Sequence, residues 1–474
     1  EGGWPGSNPK DVRFFEMVKE QPFRHARLTA FGSTRKPGVR PENCRNLRAL
    51  LRAGTPAVAI FGKSWDLHVT EILGIPLAEN LDMIRDSVAW LKARDKEVIF
   101  DAEHFFDGYR RRPAYALSTL KAAFDAGADR IVLCDTNGGA MPHDLREAVR
   151  KAAAIIPAGQ LGIHAHNDCG LAVANSLAAV LAGVAMVQGT VNGYGERCGN
   201  ADLISIIGNL QIKMARRCLP ESSLQQLTNL SHYVGEVANV RPLPFRPFVG
   251  RSAFAHKGGI HVNAIAKNPQ AYEHIRPEQV GNHQRVLVSE LAGKSNIAFK
   301  AKELGIELGD HDAASRKIVR EIKRLENQGF QFDAAEGSLS LLMKKITGAF
   351  REPFTLQCFS VTNVKTRNDP SLCQATIKIS VGNEEELTAA EGNGPVNALD
   401  NALRKALTKF YPQINEMHLV DFKGRIVEGR EGTAAKVKVL LDSRDGDEMW
   451  STIGVSENII EASWQALVDS IQYK

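Results

Sequence analysis

Six short apolar runs, each followed by a polar or glycine-rich turn and a helical stretch, constrain this chain more than any other feature. The runs occupy residues 27–31, 57–61, 98–101, 130–134, 161–163 and 186–190, with amphipathic stretches at 81–92, 116–126, 144–155 and 171–181. Apolar runs that do not alternate belong to strands buried on both faces, and strands alternating with helices form parallel βα units. The recurrence, about every 30 residues, is that of a (β/α)8 TIM barrel of about 250 residues. An open doubly wound sheet is the competing architecture. The strand ends favour the barrel: Ser33-Thr34, Lys63-Ser64, Asp101-Ala102-Glu103, Asp135-Thr136, His164-Ala165-His166 and Asn192-Gly193 all bring polar groups to one end of the runs. Barrel active sites are built by such convergence. Glu1-Gly2-Gly3 reads as the tail of a further strand. A closed barrel needs eight strands, so the sequence is expected to lack its first βα unit and most of the second strand, on the order of 30–40 residues.

The pattern changes after about residue 212. Residues 220–240 read as mostly helical, 241–248 are too proline-rich for regular structure, and 252–262 form a glycine-hinged segment carrying His256, Lys257 and His261. A charged amphipathic helix is expected over 312–328. From about residue 354, strands at 356–364, 375–381 and 435–441 mix with helices at 397–407 and 460–471, which predicts a small α+β domain. The expected division is a barrel at 1–212, helical linker subdomains at 213–353 and a regulatory, dimerising domain at 354–474.

Composition narrows the function. A formal charge of +5 over 474 residues argues against nucleic acid or a membrane surface as partner. No apolar run approaches the ~20 residues of a membrane-spanning helix. Seven scattered cysteines without a CxxC pair suit reduced thiols in a cytoplasm better than disulfides or a zinc knuckle.

The chemistry centres on GIHAHND at 162–168. Side chains two apart on a strand share a face, so His164 and His166 project together. They read either as a divalent-metal pair or as two hydrogen-bonded surface histidines. The next strand leads into NGYGERCGN at 192–200, whose glycines allow close backbone approach and whose Glu196, Arg197 and Asn200 offer polar atoms. Imidazole with amide and carboxylate oxygen suits Mn2+, Zn2+ or Fe2+, and Mg2+ where oxygens dominate. Glu103 is the best acid/base carboxylate at the mouth, the alternative being a structural ion pair with an arginine such as Arg110. Thr136 either donates its hydroxyl to a substrate carboxylate or caps a helix.

These motifs, with EGGWPGSNPKD at 1–11, FDAEHFFDG at 100–108, CDTNGG at 134–139 and FAHKGGIHV at 254–262, resemble the isopropylmalate and homocitrate synthase family, and within it the citramalate synthases. GNGPVNALDNAL at 392–403, GTAAKVKV at 432–439 and WSTIGVSENIIEASWQALVDS at 450–470 resemble its C-terminal regulatory domain. The resemblance implies an acyltransferase that condenses acetyl-CoA with pyruvate on a metal-dependent barrel (Mg2+ or Mn2+, with Zn2+ possible), serving isoleucine biosynthesis. It implies His164, His166 and Asn200 as metal ligands, Glu103 and His261 as proton-transfer groups with His256 the lesser alternative, and Thr136 as holder of the oxo-acid carboxylate. It also implies a homodimer with isoleucine as effector. Isopropylmalate synthase and hydroxymethylglutaryl-CoA lyase are rivals, and an inactive amino-acid-binding dimerisation module is a further alternative. The family's first strand carries an Arg-Asp pair that these residues lack, so the 474 residues alone are expected to bind metal weakly and turn over little.

Overall fold

The computed structural model describes the chain except for residues 22, 241, 289–292, 309–310, 366, 368–370, 428–434 and 447, together with the side chains of 294–295 and 311–312. The first residue of the proline-rich arm, Arg241, and the start of the 432–439 motif therefore lie outside the described residues. The described chain divides into two units, residues Glu1–Ala253 with Pro277–Asn282, and Phe254–Arg276 with His283–Lys474.

In the first unit six strands pair in chain order, all parallel: β1 (Thr29–Ser33), β2 (Ala57–Lys63), β3 (Glu97–Glu103), β4 (Arg130–Asp135), β5 (Leu161–Ala165) and β6 (Met186–Gln188). Helix α1 (Pro9–Val18) precedes β1. The crossovers are α2 (Arg45–Arg52), α3 (Leu77–Lys92), α4 (Phe105–Arg111) with α5 (Pro113–Asp125), α6 (Pro142–Ala153) and α7 (Ala172–Leu181), and α8 (Leu203–Gly208) follows β6. Pro113 separates α4 from α5, because a residue before proline is pushed out of the helical region; Arg112 sits at φ −146°. Gly2 N–H donates to the Thr29 carbonyl at 2.9 Å and Phe31 N–H to the Gly3 carbonyl at 3.0 Å, so the first residues run alongside β1, as their sequence suggested.

Strand periodicity sorts the side chains into two layers. From β3, Val98, Phe100 and Ala102 join Ile84, Val88, Leu91 and Leu120 beneath the helices. Ile99 faces the other way, into a smaller cluster with Ala59, Val132 and Cys134, flanked by Phe31 and Met186. Asp101 and Glu103 follow Ile99 at steps of two, so they extend this inner face toward the strand ends. The stretch read as mostly helical over 220–240 holds two helices, α9 (Glu221–Leu224) and α10 (Leu227–Val237), separated by Gln225 and Gln226.

In the second unit, β7 (Ala255–His256) pairs with β8 (Arg285–Val286), and α11 (Gly259–Lys267) begins at the Gly258-Gly259 hinge. Helices α12 (Lys294–Glu303), α13 (His311–Glu326) and α14 (Glu336–Thr347) share a core around Ile297, Ile318, Ile322, Leu339 and Met343. The tail contains two βββα modules. Strands β9 (Thr355–Val364), β10 (Leu372–Val381) and β11 (Glu384–Gly392) precede α15 (Pro395–Leu407); β12 (His418–Ile426), β13 (Val437–Arg444) and β14 (Met449–Ser456) precede α16 (Ile459–Tyr473). Both sheets are antiparallel, and both modules feed one core, through Ile377, Leu399 and Leu403 from the first and Val439, Leu441 and Leu467 from the second. Equivalent hydroxyls tie each third strand to its helix: Thr388 donates to Ala402 O at 2.8 Å and Thr452 to Ala466 O at 2.7 Å. Among the described residues no helix is long and apolar enough to cross a membrane, and all seven cysteines are free thiols.

Candidate active site at the strand ends

The ends of β3 to β6 carry the polar residues that the sequence singled out. His164, in β5, and His166, just past it, turn to the same side, with their Nε2 atoms 3.1 Å apart. Burial lowers the pKa of both, and His164 and Arg197 help push His166 down to about 4. Both rings are therefore neutral near pH 7, the form that ligates metals. Asn200 lies beside them through a β-bridge between its backbone and that of His166. His166 Nδ1 and Asn200 Oδ1 are buried with no hydrogen-bond partner among the described residues.

The loop holding Asn200 depends on glycine. Gly199 sits at φ +90°, and a Cβ there would lie 2.1 Å from the Gly193 carbonyl oxygen. Gly138, at φ +62°, lets the loop after β4 pass close under the His166–Asp168 segment; a Cβ would lie 2.5 Å from Asp168 Oδ2 and 2.9 Å from His166 O. Gly138→Ala is expected to lower stability by about 2–4 kcal/mol, read from the urea midpoint, because the new methyl meets backbone and the φ is unfavourable.

Thr136 follows β4. Its Oγ1 accepts the His104 N–H at 2.8 Å, which leaves the hydroxyl proton to donate. Glu103 ends β3, half-buried, and its ion-pair partner is Lys63, its register partner on β2. Arg110, the partner considered from sequence, pairs instead with Asp107. Glu196 is exposed. Arg197 grips Asp168 through two bonds of 2.8 and 3.0 Å and donates to Thr136 O at 2.7 Å, binding the loops after β4, β5 and β6 together.

Gln188 and His104 escaped the sequence reading, and Asp101, read there only as a strand-end polar residue, gains a partner. Gln188, the last residue of β6, accepts from His164 Nδ1 at 2.8 Å and donates to Asp101 Oδ1 at 3.1 Å. Asp101 is fully buried, and burial, with the Glu1 charge, holds its pKa well above the usual carboxylate range. His104, at φ +58°, pairs with Asp107 at 3.1 Å and packs its ring on His68, which stacks in turn on Trp65. The left-handed backbone at His104 is invisible in sequence, whereas the polar end of a short apolar strand marks Gln188.

Asp135 gives the fold a pH dependence. Burial raises its pKa to about 6, against accepted bonds from Ala140 N–H and Asn175. A carboxyl with a raised folded-state pKa contributes stability at low pH and loses it as pH rises through about 6. Asp135→Asn, which keeps an acceptor, is expected to gain about 1–3 kcal/mol on the wild type between pH 4 and pH 8 in urea unfolding.

In the second unit, His261 is exposed on α11, its ring stacked on Tyr272 with centroids 4.2 Å apart. His256 is mostly buried and 3.3 Å from Glu273.

Among the described residues no group of three or more His, Cys, Asp or Glu side chains stands in ligating arrangement. His164, His166 and Asn200 supply two imidazoles and an amide oxygen, and the unpartnered buried atoms of His166 and Asn200 fit a divalent cation in donor chemistry.

The parallel βα array and its polar strand ends define an α/β barrel enzyme of the HMGL-like class: residues 17–234 match the HMGL-like family, 248–329 the homocitrate synthase post-HMGL domain-like family, and 333–474 the LeuA allosteric (dimerisation) domain. Over the whole chain the protein is 54% identical to an (R)-citramalate synthase of Geobacter sulfurreducens and 52% identical to one of Aquifex aeolicus, covering 90% of each. A probable 2-isopropylmalate synthase of Methanopyrus kandleri is 32% identical over 90% of this chain and 82% of its own length. The chain belongs to the (R)-citramalate synthase family.

Proposed function

We propose that the protein condenses the acetyl group of acetyl-CoA with the keto carbon of pyruvate and hydrolyses the resulting thioester, giving (R)-citramalate and CoA. The observation that carries this reading is the neutral His164–His166 pair at the strand ends of a chain that aligns end to end with (R)-citramalate synthases. A divalent cation held by His164, His166 and Asn200, Mg2+ or Mn2+ with Zn2+ possible, would supply Lewis-acid polarisation of the 2-oxo group. Thr136 donates a hydrogen bond from its hydroxyl to the pyruvate carboxylate and holds it in place. Glu103 and His261 carry the proton transfers. One removes a proton from the acetyl methyl, and the enolate carbon then bonds to the keto carbon while the carbonyl electrons move to oxygen. Protonation of that oxygen gives the tertiary alcohol. Water then adds to the thioester, and CoA leaves as the thiol. Lys63, the ion-pair partner of Glu103, holds the carboxylate at the end of β3.

The LeuA allosteric (dimerisation) match over 333–474 supports a homodimer with a small-molecule effector, and isoleucine, the end product of the route that citramalate opens, is the effector we assign. The reading is tested by CoA thiol release from the full-length gene product with pyruvate, 2-oxoisovalerate and 2-oxoglutarate in parallel. Pyruvate is expected to be preferred at least tenfold in kcat/KM. Preference for 2-oxoisovalerate would make the protein an isopropylmalate-forming enzyme instead.

A further inference from the structure

We propose that Gln188 is a positioning residue that pins His164 in a single tautomer, with its proton on Nδ1 and a lone pair on Nε2. The inference rests on the reading of His164 and His166 as metal ligands and extends it to a residue that contacts neither metal nor substrate.

The orientation of the Gln188 amide gives each hydrogen bond a direction. Asp101 sits 3.1 Å from the Gln188 amide nitrogen, and a carboxyl oxygen is the acceptor an N–H requires. With its nitrogen engaged there, the amide turns its oxygen to His164 Nδ1 at 2.8 Å. That oxygen only accepts, so the imidazole proton belongs on Nδ1. Reversing the amide would set its N–H against His164, losing the acceptor that the Nδ1–H needs once Nε2 gives its lone pair away.

The contact with His166 shows why this matters. The two Nε2 atoms are 3.1 Å apart, so one proton lies between them in the metal-free protein. Without Gln188, His164 is free to supply it, presenting a hydrogen where a lone pair is needed. With Gln188, that proton is His166's. His166 Nδ1 has no partner among the described residues, so its tautomer is unpinned. One ring is fixed and the other can reverse, which lets a cation enter without a change in the net proton count at either ring. Such outer partners fix ring orientation, and their loss typically costs about 10–100-fold in metal affinity.

The test uses two readouts on the full-length protein. Imidazole 15N shifts in the metal-free protein report the His164 tautomer, and titration with Mn2+ alone reports affinity. Gln188→Met and Gln188→Asn are expected to mix the His164 tautomers and to weaken Mn2+ about 10–100-fold. The asparagine keeps the amide but falls one methylene short of the ring. Gln188→Glu retains the acceptor and is expected to keep the Nδ1–H tautomer, with Mn2+ affinity within about tenfold of wild type. Retained tautomer and affinity in both the Met and Asn variants overturns the inference, as does loss of both in the Glu variant despite a native far-UV spectrum. Failure of the wild type itself to bind Mn2+ would instead overturn the metal reading, leaving the tautomer measurement to decide on Gln188 alone.

Discussion

Replacing Glu103 with glutamine is expected to lower kcat by about 10²–10⁴-fold, the range that a positioned general acid or base contributes. The substitution keeps the shape of the side chain and removes only its ability to take a proton. Lys63 loses its ionic partner but is not deeply buried, so stability should fall by no more than about 1 kcal/mol. Mn2+ affinity should remain within about tenfold of wild type, because Glu103 is not among the assigned ligands. Steady-state kinetics with pyruvate and acetyl-CoA, alongside Mn2+ titration, separate these effects. A variant that keeps kcat within about tenfold of wild type removes Glu103 from the proton transfers and leaves His261 as the remaining candidate.

His164→Ala has the second large effect. It removes one of the two imidazoles and strands the Gln188 amide oxygen, which loses its donor. Metal affinity is expected to fall by more than the ~100-fold upper range of an outer partner, since a direct donor is lost. Turnover should fall with it and recover only partly when Mn2+ is raised. The stranded polar group adds about 1–3 kcal/mol of destabilisation. Calorimetric Mn2+ titration and urea unfolding of the same preparation measure the two losses independently. Unchanged Mn2+ affinity would mean that the His164–His166 contact is only a hydrogen-bonded pair.

How much of this was legible in the sequence follows from the kind of burial each element has. The six parallel strands were readable because both faces are covered, which produces continuous apolar runs such as 57–61 and 130–134. The antiparallel tail was harder. Strand β11 begins Glu384-Glu385-Glu386 and is mostly exposed, with Thr388 its buried residue, so it reads as loop. Strand β12 is exposed at both ends and partly buried only at Asp421 to Lys423. Strand β14 buries Trp450 to Gly454, with serine, threonine and glycine interrupting the apolar Trp450 and Ile453. Its place is set by α16 and β13, not by its own composition.

The site divided in the same way. His164 and His166 were legible because a two-residue step on a strand is a local rule. The partner of Glu103 was not, because Lys63 meets it only through the β2–β3 register, whereas Arg110, near in sequence, pairs with Asp107. The Gln188–Asp101 bond joins residues distant in the chain, so the polar end of β6 marks Gln188 but not its partners.

The most direct measurement of the central claim is the fate of labelled acetyl carbon. The full-length gene product is incubated with pyruvate, Mn2+ and acetyl-CoA carrying 13C in the methyl group, and the products are followed by NMR. The account predicts that the label appears in the methylene of (R)-citramalate in step with CoA release, and that His164→Ala lowers both together. CoA release with the label recovered as acetate, or no carbon–carbon bond to pyruvate, would contradict it.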